Sequence, residues 1–155
     1  MPSSAAFKGL GYISEDGLSN ANESDSEEVV SWDGVTVATV DGNKSDTFTF
    51  KMIEALNVEV LKTVYGESNV TGNLEDGIHI KANSTPQSNY SWVIDMIMTN
   101  GVLKRIVLPN AKVSSVAEIV YKKGEVVGYE TTVNALPDEN GDTHHEYIQT
   151  PASGE

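Results

Sequence analysis

His144, His145 and Glu146 are consecutive and form the nearest thing in this chain to a metal-binding cluster. Neighbours on a strand point to opposite faces, so the two imidazoles cannot easily share an ion. The remaining histidine, His79, is isolated on an expected strand. Asp138-Glu139-Asn140-Gly141-Asp142 has the flavour of a calcium loop but lacks the D-x-D-x-D-G register and the bidentate glutamate at the twelfth position. It reads as a turn between two strands, where weak calcium affinity would be no surprise. No resident metal and no cofactor are expected. The acidic run from Asp25 to Glu28 reads as a solvated face able to meet cations or basic partners.

Catalytic patterns are missing as well. The chain has no G-x-S-x-G elbow and no phosphate loop. It has no cysteine, which removes thiolate zinc sites and cysteine nucleophiles. With 23 acids, carboxylate pairs are too common to nominate a glycosidase. An enzyme is not expected. Five N-x-S/T triplets, beginning at Asn22, Asn43, Asn69, Asn83 and Asn89, carry no weight without a secretory signal, and Met1 to Leu10 has neither the basic start nor the apolar core of one.

A length of 155 residues suits one domain, expected over 4–149 with 1–3 and 150–155 as flexible termini. Apolar residues fall in short runs, never eighteen together, so no membrane-spanning helix is expected. Ten basic residues against 23 acids give a net charge of −13. Counterion release cannot drive such a chain onto nucleic acid. DNA that passes without sticking remains compatible with this charge.

Strand alternation dominates. In "TFTFKM", Phe48, Phe50 and Met52 share one face, with Thr47, Thr49 and Lys51 on the other. "NYSWVIDMIM" sets Tyr90, Trp92, Ile94, Met96 and Met98 against Asn89, Ser91 and Asp95. "VVGYETTVNA" sets Val127, Tyr129, Val133 and Ala135 against Gly128, Glu130, Thr132 and Asn134. Asn100-Gly101 signals a type I′ hairpin, Lys123-Gly124 separates two further runs, and Asp33-Gly34 and Asp41-Gly42 flank "VTVATV" as turns. A helix over about 57–65 is expected, with Asn57 as its cap, Val60, Leu61, Val64 and Tyr65 as its apolar stripe, a Leu56–Leu61 staple and Gly66 beyond its end. The polar run "SNANESDSEE" (19–28) and the tail "QTPASGE" read as solvated or ordered only on assembly. The fold expected is mostly β, an antiparallel sandwich or partial barrel with one short flanking helix.

Four stretches carry a resemblance: "AAFKGLGYISEDGL", "SDTFTFKMIEALNVEVLKTVYGESNVTG", "SWVIDMI" with "VLKRIVLPNAKV", and "YETTVNALPDENGDTHHEY". In that order, over Ala5 to Tyr147, the chain resembles the major tail tube proteins of long, flexible, non-contractile phage tails. The resemblance implies a non-catalytic β-sandwich. Six copies form a ring whose sheets join one barrel, and rings stack into a tube through which the genome leaves the capsid. It implies self-association, contact with tail terminator, tape measure and tail-tip proteins, a place in the virion tail and assembly in the host cytoplasm. It implies no membrane and no specific DNA binding. Relatives usually carry a strand or arm before "AAFKGLGY", where "MPSS" stands here. A short natural version or a trimmed chain would each account for this, and loss of a docking arm would impair polymerisation.

Within that frame, two polar strand faces compete for the channel: Thr47, Thr49 and Lys51 against Glu130, Thr132 and Asn134. Acidic charge along the channel would repel DNA. The segments from Gly17 to Glu28 and from Asp41 to Asp46 are expected to contact the next ring, through Asp25, Glu27, Glu28, Asp41, Asn43 and Asp46. Tubes of phage-like bacteriocins or secretion machines share the fold and differ in cargo. A carbohydrate- or surface-binding sandwich needs clustered exposed aromatics, and here Trp32 and Tyr147 are the candidates left once Trp92 and Tyr129 go to core faces. A hydrolase needs a cleft with perturbed acids, and nothing nominates one.

Overall fold

The two-residue period of Phe48, Phe50 and Met52 sets the centre of the fold, because one face of their strand must be hidden from water and the other need not be. The structure, a computed structural model, describes residues 6–150. In chain order it contains β1 (Ile13–Val30), β2 (Thr36–Met52), α1 (Val58–Tyr65), β3 (Val70–Asn73), β4 (Gly77–Ile80), β5 (Tyr90–Ile97), β6 (Leu103–Val116), β7 (Tyr129–Leu136) and β8 (His145–Gln149). Of the termini expected to be flexible, 1–3 and 151–155 lie outside the described residues. Gln149, read with the tail, pairs instead with Leu103.

The main sheet runs β1-β2-β7-β6-β5, with β8 also paired to β6, and every pairing is antiparallel. β6 divides its neighbours: Leu103–Val107 lies between β5 and β8, whereas Asn110–Val116 lies against β7. The fold is mostly β with antiparallel sheets and one short helix, as expected, and is consistent with a sandwich; the sheet of this single chain does not close into a barrel. Phe48, Phe50 and Met52 meet Trp92, Ile106, Leu108, Ala111, Tyr129, Val133 and Ala135 in one core. α1 closes it with Val60, Leu61 and Val64, and β3 adds Val70. The rings of Phe50 and Trp92 meet edge to face at 5.9 Å. The indole N–H of Trp92 is buried and has no hydrogen-bond partner among the described residues.

α1 begins where expected. Asn57 Oδ1 accepts from Glu59 N at 3.0 Å, and Gly66, at φ 98°, ends the helix with its N–H on the Lys62 carbonyl at 2.8 Å. The staple does not form, because Leu56 is 66% exposed. Hydrogen bonds set the entry angle instead: Asn57 N to the Glu54 carbonyl (3.1 Å) and Asn57 Nδ2 to the Gly9 carbonyl (3.2 Å). Beyond the helix, Asn69 Nδ2 donates to the Tyr65 carbonyl and Gln87 Nε2 to the Val64 carbonyl, satisfying acceptors that the last turn leaves open.

Turn signals are met unevenly. The β5–β6 hairpin falls at Asn100-Gly101, both at positive φ (62° and 74°), but Met98 N bonds Val102 O at 2.7 Å, so its loop has three residues rather than two. Asp33-Gly34 does turn the chain, with Gly34 N on the Ser31 carbonyl at 2.9 Å. Asp41-Gly42 does not. It sits inside β2 at a register shift, where Ser24 faces Lys44 but Ser26 faces Asp41. A Cβ on Gly42 would lie 2.8 Å from the Asp25 carbonyl oxygen, so this glycine permits a bulge rather than a turn. Around Lys123-Gly124, residues 117–128 form a long connection instead of strand ends.

Candidate functional site

The six residues nominated for the channel belong to one surface. β2 and β7 pair Thr47 with Asn134, Thr49 with Thr132 and Lys51 with Glu130, and directly opposed residues share a face. The two competing faces are therefore a single face, backed by Phe48–Val133, Phe50–Thr131 and Met52–Tyr129 on the core side. The hydroxyls of Thr49 and Thr132 lie 3.0 Å apart in a hydrogen bond across the strands. Register extends this polar surface to Ser19 and Ala21 of β1 and to Lys112 of β6. Its charged groups on these strands are Lys51, Lys112, Glu130 and, farther along β6, Arg105, which Asp95 of β5 neutralises across the strands, so the surface is hydroxyl- and amide-rich and close to neutral.

The acidic excess lies elsewhere. The β1–β2 hairpin holds nine of the 23 acids (Glu15, Asp16, Glu23, Asp25, Glu27, Glu28, Asp33, Asp41, Asp46) against Lys44 and Lys51, which places −7 of the net −13 on it. Outward from the Asn22–Asp46 pair, no further strand joins it among the described residues, and 22–45 is exposed on both faces apart from half-buried Ser31. Nine β1 residues from Asn22 to Val30 give this arm a reach of about 30 Å. The run 19–28, expected to be solvated or to order on assembly, is strand, because β2 supplies partners for its backbone without any core beneath it. Asp25, Glu27, Glu28, Asp41 and Asn43 all lie exposed on the arm. At the tip, Ser31 Oγ donates to the Val35 carbonyl at 2.9 Å and Trp32 is fully exposed. Val29, Val30, Val35, Val37 and Val40 are exposed too.

Asp46 leaves the set of ring-contact residues. It is 1% exposed, and its carboxylate accepts from Asn20 Nδ2 (2.8 Å) and Thr143 Oγ1 (2.6 Å) and meets His144 Nδ1 (2.5 Å). Burial pushes its pKa up, but the hydrogen bonds from Thr143, Asn20 and His144 outweigh burial and hold it below the usual 3.8. His144 also stands edge to face on Phe48 at 5.1 Å. The cluster ties the root of the arm to the segment before β8. The alternation of "TFTFKM" could have revealed it, since Asp46 continues the buried phase of Phe48 and Phe50.

The histidines are dispersed to different neighbours. His145 Nε2 lies 3.6 Å from Asp138 Oδ2, Glu146 pairs with Lys104 at 2.8 Å, and His79 is exposed on β4. Asp138 Oδ1 accepts the N–H groups of Asn140 (2.8 Å) and Asp142 (3.0 Å), which makes the expected turn. On β5 and β6, Arg105 grips Asp95 through Nε (2.6 Å) and an Nη (2.8 Å), and this hydrogen bonding lowers the pKa of Asp95. Burial, helped by Tyr121, pushes Tyr65 up to about 12. An open depression of about 670 Å³ is lined by Ile53–Asn57, Leu74, Val126 and Val127, where Glu54 is the ionisable group. One acid on an apolar wall makes no acid–base pair.

No helix among the described residues is long and apolar enough to cross a membrane. The family model described as phage tail tube protein matches residues 1–153. No curated protein matches the chain closely enough to count as a relative.

Proposed function

The chain belongs to the phage tail tube protein family, a structural component of the virion tail that assembles into a tube with other tail proteins, and from that premise we propose that six copies close a ring and that stacked rings form the conduit for the genome. The observation that carries the reading is the cross-strand pairing that puts Thr47, Thr49, Lys51, Glu130, Thr132 and Asn134 on one polar face opposite the core. Such a face suits a channel wall. It presents few cations to phosphate, so DNA gains little by counterion release and slides rather than adsorbs. On this reading the wall at these strands is close to neutral, and the acidic charge expected along the channel comes from residues outside this face, among them Glu23, Asp25, Glu27, Glu28, Asp33 and Asp41 of the arms.

The remaining parts fit the same scheme. Among the described residues the outer edges of β1, β5 and β8 are unpaired, and they would be completed by neighbours in a closed ring with cyclic symmetry. The arm reaches the adjacent ring through Asp25, Glu27, Glu28, Asp41 and Asn43. The role is mechanical, with no catalytic step, and assembly takes place in the host cytoplasm with the terminator, tape measure and tail-tip proteins as further contacts.

Negative-stain electron microscopy of concentrated protein at low and high salt tests the assembly. Hollow tubes or rings, favoured as salt screens the −13 chains, are expected. Solid fibres without a stain-filled centre would contradict it. Thr49→Lys with Thr132→Lys should slow DNA passage, and unchanged genome ejection would remove this face from the channel.

A further inference from the structure

Two motifs that are each too poor to hold a metal meet in space. Asp138-Glu139-Asn140-Gly141-Asp142 lacks the ligand count of a calcium loop, and His145 is separated from His144 by the strand's alternation. Chain reversal between β7 and β8 brings the first motif against the second. One donor atom each from Asp138, Asp142 and His145 then lies within 4.8 Å of the others. From this convergence we propose that Asp138, Asp142 and His145 form a binding site for a divalent transition-metal ion of the zinc type.

The donor set selects the ion. Two carboxylates and one imidazole nitrogen suit zinc, cobalt, nickel or manganese, whereas calcium asks for six or more oxygens and does not favour nitrogen. Spacing agrees: donors about 2.0–2.1 Å from a tetrahedral ion lie about 3.4 Å apart, and Asp138 Oδ2 is 3.6 Å from His145 Nε2. Asp138 is positioned in advance. Its Oδ1 is engaged by the Asn140 and Asp142 N–H groups, leaving Oδ2 as the atom facing the imidazole. His145 is half-buried and Asp142 exposed, so water can complete the coordination, and the ion would clip the 138–142 turn to the start of β8.

Titration calorimetry with zinc chloride and the visible absorbance of added cobalt test the site on the full chain. One saturable site per chain is expected, weakened by about tenfold or more in His145→Ala and in Asp142→Asn, and unchanged in His79→Ala. Both weakened variants lie at exposed or half-buried positions, and far-UV circular dichroism checks their fold. Zinc should raise the melting temperature of the native chain by about 5 °C at saturating metal and leave that of His145→Ala in place. Absence of saturable binding up to about 1 mM metal, or equal binding by the native chain and His145→Ala, would overturn the proposal.

Discussion

β2 is two strands in one. From Asp46 to Met52 its residues alternate between buried and half-buried, but from Thr36 to Ser45 every one is exposed. The backbone conformation is the same; what differs is what lies beneath. The inner half rests on α1 and the core, whereas the outer half has, among the described residues, β1 alone as partner. Hydrogen bonding thus suffices to extend the strand, while burial decides which residues it can carry. A hairpin on its own is marginally stable in water, and this one is held at its root, where Asp46 gathers Asn20, Thr143 and His144.

The contrast can be broken hardest at its inner end. Phe48→Ala should cost about 3–5 kcal/mol, because a fully buried ring leaves a cavity; urea unfolding measures it. Asp46→Ala should cost about 1–3 kcal/mol, because the donors of Asn20, Thr143 and His144 lose the buried carboxylate they share. pH sharpens this second test. Asp46 has a folded pKa below its unfolded 3.8, so its contribution is present above that value and is lost as pH falls through the folded one. The native chain should therefore lose more stability between neutral and acidic pH than Asp46→Asn does. Equal slopes would mean that the carboxylate does not hold the root.

Smaller effects follow outward. Trp92→Phe should change stability by about 1 kcal/mol, since lost packing is partly offset by removal of a buried N–H that has no partner among the described residues. Glu27→Lys with Asp41→Lys should move unfolding by no more than about 0.5 kcal/mol while altering tube assembly seen by electron microscopy. A large loss of stability there would show that the arm is part of the folding unit.

The sheet centre was legible because Phe48, Trp92 and Val133 sit in runs where period-two alternation is forced by a one-sided core. α1 was legible because Asn57 and Gly66 bracket an apolar stripe. The arm was not, since an uncovered strand has no reason to alternate and 19–28 then reads like a solvated loop. Asp41-Gly42 misled because a bulge and a turn call for the same residues. The union of the two polar faces depended on the register between β2 and β7, which neither strand's own sequence contains. Asp46 was masked by the acids around it: its position in the alternation, not its type, marks it as buried.

Replacing residues 25–43 with an Asn-Gly turn between the paired Ser24 and Lys44 tests most directly whether the arm serves assembly rather than folding. A monomer whose melting temperature lies within about 3 °C of the native chain, and which forms no tubes at any salt concentration, is expected. A chain that fails to fold, or one that still stacks into tubes, would contradict the division between sheet and arm.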